Sequence, residues 1–168
     1  MRVLGIDPGS EVTGWGVIEG DARRYALVEY GAVRVPAQLP FASRLLRISD
    51  GIDAVIARLR PDVCVIEEAF FAVNVRTALR LGHVRGVALL AAARAGLEIQ
   101  EYAPRLVKQT IVGYGAAEKM QVQEMVRALL KLDQVPRPHD AADALAVAIC
   151  HLHHVRLSSY VRAAVRRR

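Results

Sequence analysis

The sequence predicts an α/β layered fold: a mixed five-stranded sheet with helices on both faces. Three observations point to it. Three strand-like apolar segments follow one another over residues 2–35, separated by tight turns. Helical apolar periods at 40–60 and 74–95 then alternate with short apolar runs at 62–67 and 97–102. Three further helical stretches close the chain, so the order is βββαβαβααα. With 168 residues, 53% of them hydrophobic and 24% charged, the chain can bury one core. We expect a single domain over residues 1–155.

The first strand, Arg2 to Asp7, is an apolar run that ends in one carboxylate and turns at once on Pro8-Gly9. The second spans about Thr13 to Glu19, and Gly20-Asp21 makes a hairpin turn. The third covers about Tyr25 to Val35 and stops before Pro36. Short turns between consecutive strands imply an antiparallel start to the sheet. The helix over 40–60 carries Leu45, Ile48, Ile52, Val55, Ile56 and Leu59 at three- to four-residue spacing, and Pro61 stops it. Asp62 to Glu67 is a continuous apolar strand that also ends in an acid.

Asn74 is suited to cap a long helix that closes at Gly96. Its small residues Ala78, Gly82, Gly86 and Ala93 permit close approach, either of a second subunit or of the sheet. Arg76, Arg80, Arg85 and Arg94 make it basic. Leu97 to Tyr102 forms the fifth strand. Pro104 opens a short helix that ends at Gly113, and a further helix runs from about Ala117 to Leu132. The last helix begins near His139 and is expected to end near His154.

The longest apolar runs, such as Val87 to Ala93, are far too short to span a bilayer, and no signal-peptide pattern follows Met1. Cys64 and Cys150 lie in apolar segments and suit buried thiols in a reducing cytoplasm. Residues 156–168 hold five arginines and no acid; without them the net charge of +6 falls to +1. We expect this basic tail to be disordered. It could serve as a DNA-binding arm or be solvated without a specific role.

Four carboxylates carry the chemical signal. Asp7 and Glu67 end two strands; if those strands are parallel neighbours, both acids emerge at one carboxyl edge, where open α/β sheets place their sites. Asp140 and Asp143 lie three residues apart at the start of the last helix, on one face. Each alone has an ordinary explanation, as a turn acid or as charge suited to a helix N-terminus. Together, in apolar surroundings, they are hard to neutralise unless they converge on a cation. Oxygen-only donors suit Mg²⁺ or Mn²⁺, and clustered carboxylates with two ions ~4 Å apart are the usual apparatus of phosphodiester hydrolysis. Glu68 should face away from Glu67. His139 is either a proton shuttle or an exposed residue beside Pro138. The cluster of His151, His153 and His154 splits around a helix and reads as a solvated helix end.

The segments "GIDPGSEVTGWGVIE" (5–19), "IEEAFFAVN" (66–74), "ALRLGHVRGVA" (78–88), "EYAPRLVKQTIVGYGAAEKMQVQEMV" (101–126) and "DAADALAVAICH" (140–151) occur in this order. On them the chain resembles the bacterial RuvC family of Holliday-junction resolvases. It implies a ribonuclease-H-like nuclease domain, a homodimer, and Mg²⁺-dependent paired nicking of four-way DNA junctions during recombination and repair. It implies Asp7, Glu67, Asp140 and Asp143 as catalytic, metal-binding acids. Some relatives carry His at the position of Asp140, which suits an auxiliary role there. Lys108 and Lys119 fall on the family's junction-gripping lysines, and Phe70 on its base-stacking aromatic. Phe71 beside it leaves open which ring stacks, or whether both are core. Arg76 is a further DNA-binding candidate. The branch-migration complex of RuvA and RuvB is the implied partner.

Two rivals use the same residues. Asp7-Pro8-Gly9-Ser10 followed by Thr13-Gly14-Trp15-Gly16 resembles the phosphate loop of actin-like ATPases, but those folds generally need a second such domain. A ribonuclease-H-fold nuclease acting on RNA–DNA hybrids or structured RNA would employ the same acids.

Overall fold

The computed structural model describes residues 1–165 apart from residue 22 and residues 69–73, with side chains through Val155. Its sheet holds β1 (Arg2–Asp7), β2 (Val12–Gly20), β3 (Tyr25–Arg34), β4 (Val63–Glu67) and β5 (Glu98–Tyr102), in the spatial order β3-β2-β1-β4-β5. β1 pairs antiparallel with β2, and β2 with β3. The connections into β4 and β5 each contain a helix, α1 (Phe41–Leu59) and α2 (Val75–Arg94). Such crossovers return the chain in the same direction, so β1 is parallel to β4 and β4 to β5. The mixed sheet expected from the sequence is present.

Alternation along the strands divides the core. Val3, Ile18, Val63 and Val65 face a cluster built with α3 (Pro104–Val112), α4 (Lys119–Leu129) and α5 (His139–Val165). Leu4, Ile6, Val17, Cys64 and Ile66 point the other way, into a cluster with α1 and α2. Both faces are thus covered by helices. Both cysteines are buried and free.

Local chemistry sets the helix ends. The Asn74 side chain accepts hydrogen bonds from the backbone N–H groups of Arg76 and Thr77 at 2.9 and 3.3 Å. Pro104 opens α3, and Gly113 closes it with φ of 96°. α4 starts at Lys119, not at Ala117, because Glu118 is an extended N-cap whose backbone N–H donates to Gln121 Oε1 at 2.8 Å. Lys131, with φ of 55°, ends the turn that follows it, short of the expected Leu132. α5 runs on to Val165, past the expected end at His154. No Gly or Pro interrupts residues 151–165, so the helix continues where the sequence reading placed an irregular arm.

α5 lies directly on β1 and β2, and glycines make that possible. A Cβ at Gly5 would overlap the Ala144 carbonyl oxygen. One at Gly14 would overlap the Asp140 carbonyl and come within 2.7 Å of the Ala141 nitrogen. One at Gly16 would come within 2.5 Å of Leu145 Cδ2. On the helix side, Ala141, Ala144 and Ala148, all fully buried, are among the contacts. Small residues on both partners bring the helix backbone down onto the sheet.

A candidate metal centre at the sheet edge

Asp7 is the last residue of β1, and Glu67 the last of β4. Ile6 pairs with Ile66 in the parallel ladder, so the two acids leave adjacent strands at the same edge. The turn after Asp7 is held from both sides. The Thr13 hydroxyl donates to the Gly9 carbonyl at 2.8 Å, and Arg44 Nε of α1 donates to the Ser10 carbonyl at 2.9 Å. Both side chains are almost fully buried.

The contact of Gly14 with Asp140 and Ala141 sets the first turn of α5 against β2, opposite Asp7 in the β1–β2 register. Asp140 and Asp143 therefore arrive at the edge that carries Asp7 and Glu67. Electrostatics records the meeting. Burial, then the negative charges of Asp143, Glu67 and Asp140, push the Asp7 carboxyl up to about 7. Burial and Asp143 raise Glu67 as well, while Lys108 and Lys119 oppose the rise. Like charges crowded out of water favour protonation.

A half-enclosed cleft of about 250 Å³ is lined by Glu67, Pro104, Lys108, Lys119, Val122 and Asp143, among others. Lys119 Nζ lies 2.5 Å from Asp143 Oδ2. A second hollow holds Asp7, Pro8, Glu67, Glu68 and Arg85. Among the described residues, no three His, Cys, Asp or Glu side chains are closed to ligation distance. The donor set nevertheless fits a hard divalent cation. It is all carboxylate oxygen, and its charges destabilise one another until a positive charge enters.

The structure therefore brings together the four predicted acids and both predicted lysines. Arg76 is exposed on the first turn of α2 and lines neither hollow. Phe70 and Phe71 lie outside the described residues. His139 is exposed at the start of α5. Glu68, expected to face away, lies past the end of β4, where strand alternation no longer governs it. Its backbone N–H donates to the Tyr102 carbonyl at 2.9 Å, and it lines the hollow beside Asp7. Of the three clustered histidines, His151 is buried and its Nδ1 lies 3.0 Å from the Tyr102 hydroxyl, so it is a core residue and not a solvated end.

Arg85 is the residue that sequence reasoning passed over. Its Nε donates to the Glu67 carbonyl at 3.3 Å, and its guanidinium pairs with Glu101 of β5. It ties α2 and β5 to the strand end that carries Glu67. Its helical spacing from Ala78 and Leu81, which line the same hollow, was the available signal. Arg85→Gln should cost about 1–2 kcal/mol in urea unfolding, because Glu101 and the carbonyl lose a charged partner. It should also slow cleavage.

Comparison with known proteins gives one answer. Residues 3–151 match the sequence model of a family described as "Crossover junction endodeoxyribonuclease RuvC". A protein of that name from Chloroflexus aggregans is 56% identical over 153 residues, covering 91% of this chain and 93% of that protein. One from Heliobacterium modesticaldum is also 56% identical, covering 91% and 94%. The structure of Thermus thermophilus RuvC in complex with a Holliday junction substrate superposes with a TM-score of 0.89 at 38% identity, covering 94% of this chain and 96% of that one. Matched by the family model over residues 3–151 and 56% identical to named members over 91% of its length, the chain belongs to the RuvC family of crossover junction endodeoxyribonucleases.

Proposed function

We propose that the protein resolves four-way DNA junctions by metal-dependent hydrolysis of two phosphodiester bonds, in recombination and repair. One observation carries the reading: four acids from three elements meet at one sheet edge, beside Lys108 and Lys119. Nucleases of this family are metal-dependent, and Mg²⁺ is the cation we assign, with Mn²⁺ able to substitute. Asp7, Glu67 and Asp143 would hold it, and Asp140 would assist. A divalent cation held by these acids would supply an activated water and charge to stabilise the leaving oxygen. The protein fixes the carboxylates on two strand ends and one helix turn, so side-chain rotation would close their oxygens on the cation. Lys108 lines the same cleft as Glu67 and would take a phosphate oxygen as a point charge. Phe70 or Phe71 would stack on an unpaired base, and Arg76 would meet the backbone beyond the cleft. The arginines of 156–168 would add salt-sensitive affinity.

Two symmetric nicks call for two equivalent sites, hence a homodimer. α2 offers the surface. Val75, Leu79 and Leu90 are 75%, 60% and 55% exposed, and Gly82 and Gly86 face open space. Sedimentation should therefore give twice the chain mass of 18.4 kDa. RuvA and RuvB would deliver the junction, in the cytoplasm.

The test is cleavage of a mobile four-way junction, an RNA–DNA hybrid and a plain duplex side by side, with Mg²⁺, Mn²⁺ or chelator. We expect paired nicks in the junction alone and none in chelator. Preference for the hybrid would transfer the site to RNA chemistry. Lys108→Ala should weaken junction binding and reduce the slope of log affinity against log salt by roughly one phosphate contact. An unchanged slope would return Lys108 to the solvated surface.

A further inference from the structure

The Lys119 ammonium is paired at 2.5 Å with the Asp143 carboxylate, which neutralises much of the charge it would offer a phosphate. The rest of α4 does not account for the pairing. Lys119 is the first residue of the helix, where the dipole disfavours a cation. The backbone there is already secured, since Gln121 Oε1 accepts from both the Glu118 N–H and the Tyr114 hydroxyl at 2.8 Å. The ammonium acts on the whole acid cluster. Asp143 bonds it, and Asp7 and Asp140 add to its attraction. It also eases the crowding at Glu67. Asp143 is only 22% exposed, whereas the Lys119 side chain is 60% exposed and free to swing on its four-carbon stem.

We infer that Lys119 competes with a divalent cation for Asp143, and that the cation displaces it into the cleft, where it binds DNA phosphate. A cation needs the Asp143 oxygen at roughly 2.1 Å. An ammonium at the same oxygen would face it at close range, so the two compete for Asp143 Oδ2. Displacement leaves Lys119 beside Lys108, on the cleft wall that both already line. The centre thereby couples its two ligands: cation binding prepares the phosphate contact, and by reciprocity DNA draws the cation in. This rests on the metal reading above.

The test uses Mn²⁺ as the probe, without DNA, on the full chain. Free Mn²⁺ is followed by its electron paramagnetic resonance signal for wild type, Lys119→Met and Asp7→Asn. Melting in chelator confirms that each variant is folded. With its competitor gone, Lys119→Met should bind Mn²⁺ on the order of 10-fold more tightly than wild type, about 1.4 kcal/mol. In a second arm, Ca²⁺ should tighten junction binding by wild type more than by Lys119→Met. Equal or weaker Mn²⁺ binding by Lys119→Met overturns the inference while the metal centre stands. If wild type binds Mn²⁺ no better than Asp7→Asn, the metal reading itself falls and takes the inference with it.

Discussion

Asp7→Asn is expected to abolish junction cleavage, by at least about 10³-fold, because a central cation ligand supplies several kcal/mol of transition-state stabilisation. Junction binding should survive, since Asp7 carries charge for the cation and touches no phosphate. The same substitution should raise the melting temperature in chelator. Asp7 is pushed up to about 7 by burial and by Asp143, Glu67 and Asp140. A folded-state value above the unfolded one means that the folded chain binds more protons in between. Stability therefore falls as pH rises from about 4 through about 7. Asparagine removes that penalty, so the gain in melting temperature should be largest at pH 8 and vanish toward pH 4. Saturating Mg²⁺ should stabilise wild type and leave the variant unchanged. Cleavage above a tenth of the wild-type rate would remove Asp7 from the centre.

Gly14→Ala should be nearly as damaging, although Gly14 carries no chemistry. Its Cβ would overlap the Asp140 carbonyl and crowd the Ala141 nitrogen at 2.7 Å. Backbone atoms cannot rotate aside, so the first turn of α5 must lift. We expect a loss of about 1–3 kcal/mol, typical of overpacking. We also expect cleavage to fall on the order of 10²-fold, because displacing catalytic groups by about 1 Å has that effect. Junction affinity should change much less, since Lys108 and Lys119 sit on α3 and α4. Normal cleavage with an unchanged melting temperature would show that α5 is seated by contacts elsewhere. Gly5→Ala meets the Ala144 carbonyl deeper in the sheet and should cost more stability.

These two substitutions separate what could be read along the chain from what could not. The strands, the helical periods, the cap at Asn74 and the helix start at Pro104 are local. Each is set by side-chain pattern and backbone preference within a few residues, and each was recovered. The acids at the ends of β1 and β4 were equally visible, as charges terminating apolar runs. Their convergence with Asp140 and Asp143 was inferred, and no local pattern contains it. Nothing local marks Gly5, Gly14 and Gly16 as the seat of α5; that role exists only once the helix is laid across them. Arg85 read as one arginine among several on a basic helix, until Glu67 and Glu101 were found at its tip.

α4 starts later than its apolar periodicity, which extends through Ala117, because the Glu118 N–H bonded to Gln121 Oε1 sets the first turn. Likewise His151 looked like part of a solvated cluster, but the tertiary fold buries it against Tyr102. Periodicity and turn chemistry act over a few residues, so they suffice to specify the elements and the acids that punctuate them. The distance between Asp7 and Asp143 depends on how closely a helix can approach a sheet. That is a steric property of residues more than a hundred positions apart, such as Gly14 and Asp140, and it exists only once the two surfaces are packed.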